Sequence, residues 1–146
     1  MNIHVVRRQS RLPHWAARDD LAHFLHETMR PYEDTIEDIH RALDYAFSSN
    51  NGNGGFLVLG ELNEELVGAV VMLNTGMKGF IPETVLLFVS VSPEMRGSGL
   101  GGKLIRRALD EADGNVKLHV EYDNPARRLY ERIGFTSKYA EMRYER

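Results

Sequence analysis

Residues 85–104 read V-L-L-F-V-S-V-S-P-E-M-R-G-S-G-L-G-G-K-L, and the fold turns on how this stretch is divided. Its opening, Val85–Val91, is a nearly continuous apolar run of strand length, the pattern of a strand covered on both faces. Its end begins a helical pattern, with Leu100, Leu104, Ile105, Ala108, Leu109 and Ala112 inward and Lys103, Arg106, Arg107, Asp110 and Glu111 outward. Between them lies R-G-S-G-L-G, Arg96–Gly101. Glycines without Cβ let successive backbone N–H groups converge, and the first turn of the following helix adds unpaired donors and a positive dipole end. The segment therefore reads as strand, anion-binding turn, helix.

Working outward, Ile3–Arg8 reads as a first strand, and Pro13 marks entry into a helix with Leu21, Phe24, Leu25 and Thr28 on one face. Pro31 ends that helix. A second begins near Asp34, whose carboxylate is expected to cap it while Glu37 reaches back, with Ile36, Ile39, Leu43, Ala46 and Phe47 as its apolar stripe. Ser48–Gly55 reads as a loop joining elements rather than domains. Phe56–Leu59 and Leu66–Leu73 suggest an antiparallel hairpin with a bulge at Gly68. Beyond the glycine turn and its helix, Val116–Tyr122 alternates as a strand, Pro125–Ile133 is helical and Phe135–Tyr144 is extended. The expected order is β-α-α-β-β-β-α-β-α-β, an α/β fold with helices on both faces of a mixed sheet.

At 146 residues the chain is expected to form a single domain spanning 1–146. Eighteen Lys and Arg against 21 Asp and Glu give a formal charge of -3, so no general basic field draws nucleic acid. The absence of cysteine excludes disulfides, thiolate metal sites and a Cys nucleophile, and suits a reducing compartment. The apolar runs are too short to span a bilayer, and residues 1–11 lack a signal-peptide core. No membrane partner is expected, and the expected location is the cytoplasm. His23 and His26 stand one helical turn apart without a third ligand pattern, so no metal is expected.

Three readings of the glycine turn compete. As a P-loop, Gly97–Lys103 fits G-x-x-x-x-G-K but is followed by Leu104 where Ser or Thr binds Mg²⁺. As a dinucleotide fingerprint, Gly97, Gly99 and Gly102 fit G-x-G-x-x-G with Glu121 as the ribose-binding acid. That fold turns tightly at the strand end, however, and here Ser92–Arg96 intervenes. The third reading accounts for the whole segment: Val89–Leu104 resembles the acetyl-coenzyme A signature of the GNAT superfamily of N-acyltransferases, carried by Arg96, Gly99 and Gly101. V-E-Y-D-N-P-A-R-R-L-Y-E-R-I-G-F, Val120–Phe135, is similar to the family's later motif of strand, Asn-led helix, Tyr and Gly-Phe.

The resemblance implies a GNAT-like fold with a splay between the fourth and fifth strands, and acetyl-CoA as cosubstrate. It implies that backbone N–H groups across Arg96, Gly97, Ser98, Gly99, Leu100 and Gly101 hold the pyrophosphate, that Val89 and Val91 pair with the pantetheine amides, and that Val89 N–H polarises the thioester carbonyl. Tyr130 then matches a general acid that protonates the departing thiolate, although its place in the stripe Ala126, Leu129, Tyr130, Ile133 equally fits a core residue. Asn124 either caps the last helix or bonds a pantetheine amide. For the general base, Val85 stands where some members carry Glu, leaving Glu83 on the same strand face as the candidate, with plain surface exposure as its alternative. The implied activity is direct N-acetylation of a primary amine on a small molecule or peptide, bound between Thr28–Asp34 and the Asn74–Pro82 loop; a homodimer stays open. A non-catalytic acyl-CoA-binding regulatory module and a dinucleotide-binding enzyme are the alternatives.

Overall fold

The computed structural model describes residues 1–49 and 52–146. Asn50 and Asn51, in the expected loop Ser48–Gly55, lie outside the described residues. In chain order the elements are β1 (Asn2–Val6), α1 (Arg18–Thr28), α2 (Ile36–Ala46), β2 (Gly55–Leu62), β3 (Glu65–Asn74), β4 (Thr84–Val91), α3 (Leu100–Glu111), β5 (Val116–Leu118) and α4 (Ala126–Ile133). Two short 3-10 turns, Gln9–Arg11 and His14–Ala16, occupy the stretch around Pro13 where helix was expected to begin.

The strands form one sheet in the order β1-β2-β3-β4-β5. The first four pair antiparallel, and β5 runs parallel to β4. One face carries α1 and α2, whose Leu21, Leu25, Ile39 and Leu43 pack on Leu57, Leu59, Val71 and Phe88. The other carries α3 and α4, where Leu100, Leu104, Ile105 and Tyr130 meet Val58, Val70 and Leu86. The apolar stripes read from the sequence are the stripes that are buried, since 3.6-residue periodicity places such positions on one side of a helix.

Several local details differ from expectation. The cap of α2 is Thr35, whose hydroxyl accepts from Asp38 N–H at 3.1 Å, rather than Asp34. Asn63 and Glu64 take positive φ values of 53° and 60° in the two-residue turn of the β2–β3 hairpin, matching the right-handed twist of its strands. The hairpin bulge falls at Val67, beside Gly68, where the register passes from Gly60↔Gly68 to Glu61↔Leu66. The segment expected as the last strand, Phe135–Tyr144, has no regular secondary structure. Its Tyr139, Met142 and Tyr144 are exposed, and no strand of the sheet pairs with it among the described residues.

The feature that prepares a site is a second bulge. Val71 pairs with Phe88 but Met72 pairs with Leu86, leaving Leu87 as the extra residue of β4. A bulge bends its strand and sharpens the twist. Pairing between β4 and β5 covers only Thr84↔Val116, Val85↔Lys117 and Leu86↔Leu118, ending where the bulge begins. From Leu87 onward, β4 has no paired strand on that side among the described residues, since β5 ends at Leu118.

Candidate active site

Backbone direction along β4 decides what the gap offers. Thr84 N–H donates to Asn115 across the β5 side at 3.1 Å, whereas Ser92 N–H donates to Val67 on β3 at 2.8 Å. Successive residues of a strand turn their polar groups to opposite edges, so Ser90 and Phe88 also face β3, and Val89 and Val91 turn theirs into the gap. Strict alternation from Thr84 would have presented Phe88 and Ser90 instead; Leu87 shifts the count. The gap is thus an unpaired strand edge with two residues' worth of donors and acceptors, able to accept an extended amide chain as a strand is added to a sheet.

Beyond Val91 the chain makes a 3-10 turn, Pro93–Met95, and enters the glycine segment. Gly97 and Gly99 have φ values of 78° and 85°, the left-handed region, and a Cβ built on either meets nothing within 4 Å. Glycine is required there by backbone conformation, while the space outside stays clear for a ligand. Some amides of the turn are already used: Arg96 N–H donates to Pro93 at 3.2 Å, Ser98 N–H to Met95 at 3.3 Å, and Leu100 N–H weakly to Ser98 Oγ at 3.4 Å. The Ser98 hydroxyl itself donates to the Met95 carbonyl. Among the described residues, the N–H groups of Gly97, Gly99, Gly101 and Gly102 have no acceptor within the chain. The donors thus number fewer than a continuous run from 96 to 101 and extend one residue further into α3.

These glycines line a groove of about 400 Å³ with Val91, Met95, Leu129 and Arg132. Arg132 and Leu129 come from α4, and the Arg106 guanidinium approaches Gly102 from α3. Free N–H groups, a helix N-terminus and nearby guanidinium charge together fit a diphosphate. The Arg96 guanidinium is held elsewhere, donating to the Thr28 carbonyl at 2.9 Å and tying the turn to the end of α1. Arg132 went unnoticed in the sequence because its partner surface is the turn, thirty-odd residues away.

Tyr130 sits in the core beneath α3, 8% exposed, with its ring 6.0 Å from that of Phe135 in an edge arrangement. No hydrogen bond to its hydroxyl occurs among the described residues. Burial, reinforced by the negative charge of Glu121, pushes its pKa up to about 12. It is therefore both a core residue and a protonated donor. Asn124 caps α4: its Oδ1 accepts from Ala126 N–H at 2.9 Å and its Nδ2 donates to Glu121 at 3.1 Å.

Glu83 lies at the other end of the sheet. Its carboxylate accepts from Gly79 N–H at 2.9 Å and Asn115 N–H at 2.7 Å, clamping two loops at the foot of β4, and these bonds hold its pKa below the ordinary carboxylate value. From there to Val91, β4 rises roughly 25 Å at ~3.3 Å per residue. The Asn74–Pro82 loop is at that foot as well, where Tyr45 O–H donates to the Asn74 carbonyl at 2.8 Å. The Thr28–Asp34 junction is at the opposite end, so the two do not enclose one pocket.

Instead the junction meets the β5–α4 connection. Tyr32 O–H donates to the Asp123 carbonyl at 3.3 Å. Burial is the main cause that raises the pKa of Tyr32, Asp34 and Tyr130; Asp123 and then Glu121 add to it for Tyr32, Asp38 and then Glu121 for Asp34 against a lowering by Arg143, and Glu121 for Tyr130. The charge of Glu121, on the β5–α4 connection, thus reaches Tyr32 and Asp34 of the α1–α2 junction and Tyr130 of α4. Charge coupling across elements distant in sequence carries no local signal, and Tyr32 escaped the sequence reading for that reason.

The chain matches the acetyltransferase (GNAT) family over residues 15–135. It is 44% identical over 57 residues to the 5-NmdU N-acetyltransferase of Pseudomonas phage PaMx11, an alignment covering 38% of this chain and 41% of that protein. Among solved structures, the likeness extends to a transcriptional regulator from Bacillus halodurans C-125, with TM-score 0.70 and 18% identity over 99% of both chains. A ribosomal-protein-alanine N-acetyltransferase from Brucella melitensis biovar Abortus 2308 gives 0.65 and 17%, again over 99% of both. An aminoglycoside acetyltransferase from an uncultured soil metagenomic sample gives 0.64 and 15%, over 99% of this chain and 94% of that one. At these identities the structural likeness concerns the fold.

Proposed function

Because this chain belongs to the GNAT acetyltransferase family, with the match covering residues 15–135, we propose that it transfers an acetyl group from acetyl-CoA to a primary amine, by direct attack without a covalent enzyme intermediate. Acetyl-CoA supplies the activated thioester; the work of the chain is to hold it, position the amine and manage protons. The observation that carries this reading is the edge of β4 after Leu86, unpaired on the β5 side, with Val89 and Val91 facing the gap and free glycine amides at its end. Gly97, Gly99, Gly101 and Gly102 hold the diphosphate, aided by Arg132 and Arg106. Val89 and Val91 take the pantetheine amides, and Val89 N–H stabilises negative charge on the carbonyl oxygen.

Tyr130 O–H donates its proton toward the coenzyme sulfur as the thiolate departs. A pKa of about 12 keeps the phenol protonated throughout the neutral range. The acceptor enters at the acidic point formed by Asp34 and Glu121 beside Tyr32, which suits a cationic amine. An alkylammonium with a pKa near ~10 must shed a proton before attacking, and a carboxylate of raised basicity such as Asp34 meets that need better than Glu83. The acceptor is a small molecule or a peptide amine, and the name of the phage relative makes 5-NmdU one of the first compounds to try.

The test is thiol release from acetyl-CoA across a panel of amines: polyamines, aminoglycosides, peptide N-termini, lysine peptides and aminomethyl nucleosides. Amine-dependent release that disappears in Gly99→Asp is the expected result. Binding of acetyl-CoA with no release on any amine points to the regulatory module, and no binding at all ends the reading.

A further inference from the structure

The sheet's far corner holds a concentration of positive charge that acetyl transfer does not use. β1 runs antiparallel to β2 from Asn2↔Glu61 to Val6↔Leu57, so its C-terminal end lies at the foot of the sheet, away from the glycine turn. There Arg7, Arg8, Arg11, Arg107, Val5 and Glu111 line an open groove of about 550 Å³. Arg107 and Glu111 belong to the last turns of α3, which places them about 12–18 Å along the axis from Gly99 at ~1.5 Å per residue. Two grooves thus sit at opposite ends of one helix.

The cationic side chains here are arranged in two ways. Glu111 accepts from Arg7 Nη2 at 2.9 Å and from Arg107 Nε at 3.0 Å, so a single carboxylate orients two guanidiniums and cancels only one charge. Arg7 is further fixed by its guanidinium carbon lying 4.8 Å above the centre of the Phe56 ring. Arg8 and Arg11 make no ion pair or side-chain hydrogen bond among the described residues. Four arginines against one glutamate leave the groove with three positive charges, on a chain whose formal net charge is -3. Planar guanidiniums with several free N–H groups match the paired oxygens of phosphate and carboxylate alike, and three net positive charges in one groove favour the more highly charged phosphates.

We propose that this groove binds a ligand bearing adjacent phosphate groups, with Arg7 and Arg107 as the oriented floor and Arg8 and Arg11 closing from solvent. The site is separate from the glycine turn and occupies the other end of α3. Phosphates in this arrangement belong either to a free polyphosphate or to a nucleic-acid backbone, and the two sources share the same recognition chemistry. The inference does not rest on the acetyltransferase reading, because binding here is measured without acetyl-CoA.

Calorimetric titration of the full chain with inorganic tripolyphosphate, and separately with a short single-stranded oligonucleotide, tests it at two salt concentrations. Saturable binding of tripolyphosphate is expected, weakening as salt rises, reduced at least tenfold in Arg8→Ser/Arg11→Ser, and retained in Gly99→Asp. The double variant alters exposed side chains without intrachain partners, so its unfolding temperature and thiol-release activity stay those of the parent. An oligonucleotide that binds more tightly than tripolyphosphate, with the same loss in the double variant, supports the site and names the backbone as its source; weaker binding supports it with free polyphosphate as the source. Absence of binding by both ligands, or binding lost in Gly99→Asp but intact in the arginine variant, overturns the proposal.

Discussion

Tyr130 is a core residue to which the proposed chemistry assigns a second role. Its ring fills the core between α3 and the sheet, and its hydroxyl has no partner among the described residues, so the phenol is fixed in place and free to donate. Replacement by Phe keeps the ring and removes the donor. Tyr130→Phe is expected to lower kcat by about 10²–10⁴-fold, the usual contribution of a positioned acid, with acetyl-CoA affinity changed little. Steady-state kinetics beside direct binding measurements separate the two; equal turnover in the variant removes Tyr130 from the mechanism. Glu83 is the contrasting case. Its folded pKa is depressed by the N–H groups of Gly79 and Asn115, so its contribution to stability is complete above the ordinary carboxylate pKa and is lost as pH falls through the lower folded value. Glu83→Ala is expected to destabilise the protein at pH 7 and to lose that difference in acid, with the pH dependence of turnover unchanged. Denaturation midpoints at pH 7 and pH 3 check the sign, and a shifted turnover profile would return Glu83 to the chemistry.

At the scale of elements, the decisive object is β4, whose bulge at Leu87 coincides with the last pair joining it to β5. A straight β4 would continue its ladder along Val89 and Val91, and the paired amides would then have nothing left to offer a ligand. Removing Leu87 restores a regular strand without altering which edge Val89 faces relative to Phe88. That deletion is expected to preserve the far-ultraviolet dichroism of the fold while abolishing the rise in unfolding temperature produced by acetyl-CoA. A variant that remains folded and still responds to the coenzyme would disconnect the bulge from the opening. Helix α3 acts from its other side: its buried Leu100 and Leu104 fix it to the sheet, and its N-terminus thereby presents Gly101 and Gly102 to the groove.

Over the whole molecule, the two helical layers and the sheet bury a core on each face and leave the two grooves at the sheet's ends. No helix among the described residues is long and apolar enough to cross a membrane. Native-state binding raises stability by mass action, so acetyl-CoA at a hundred times its Kd is expected to add about 2.7 kcal/mol, readable as a thermal shift of several degrees. NAD and ATP serve as comparisons, and stabilisation by NAD alone would favour the dinucleotide reading. Net charge is a whole-molecule quantity too, and here it conceals opposed local charges: Asp34 in the α1–α2 junction with Glu121 on the β5–α4 connection, and the arginine groove at the foot of α3.

The amino-acid sequence alone determined the periodic elements and their order, because burying an apolar stripe or an apolar run needs only local spacing. It also located the glycine turn, whose backbone demands are met within six residues, and the family signature written across it. What it left open were quantities that depend on how distant segments meet. A one-residue insertion in β4 is invisible until its partner strand supplies the register, Glu83 becomes a clamp only when two other loops donate to it, and Tyr32, Asp34, Glu121 and Tyr130 share a field only once three separate elements converge. The length of β5 and the course of residues 135–144 were likewise settled by pairing, since a strand exists only where another edge accepts its hydrogen bonds.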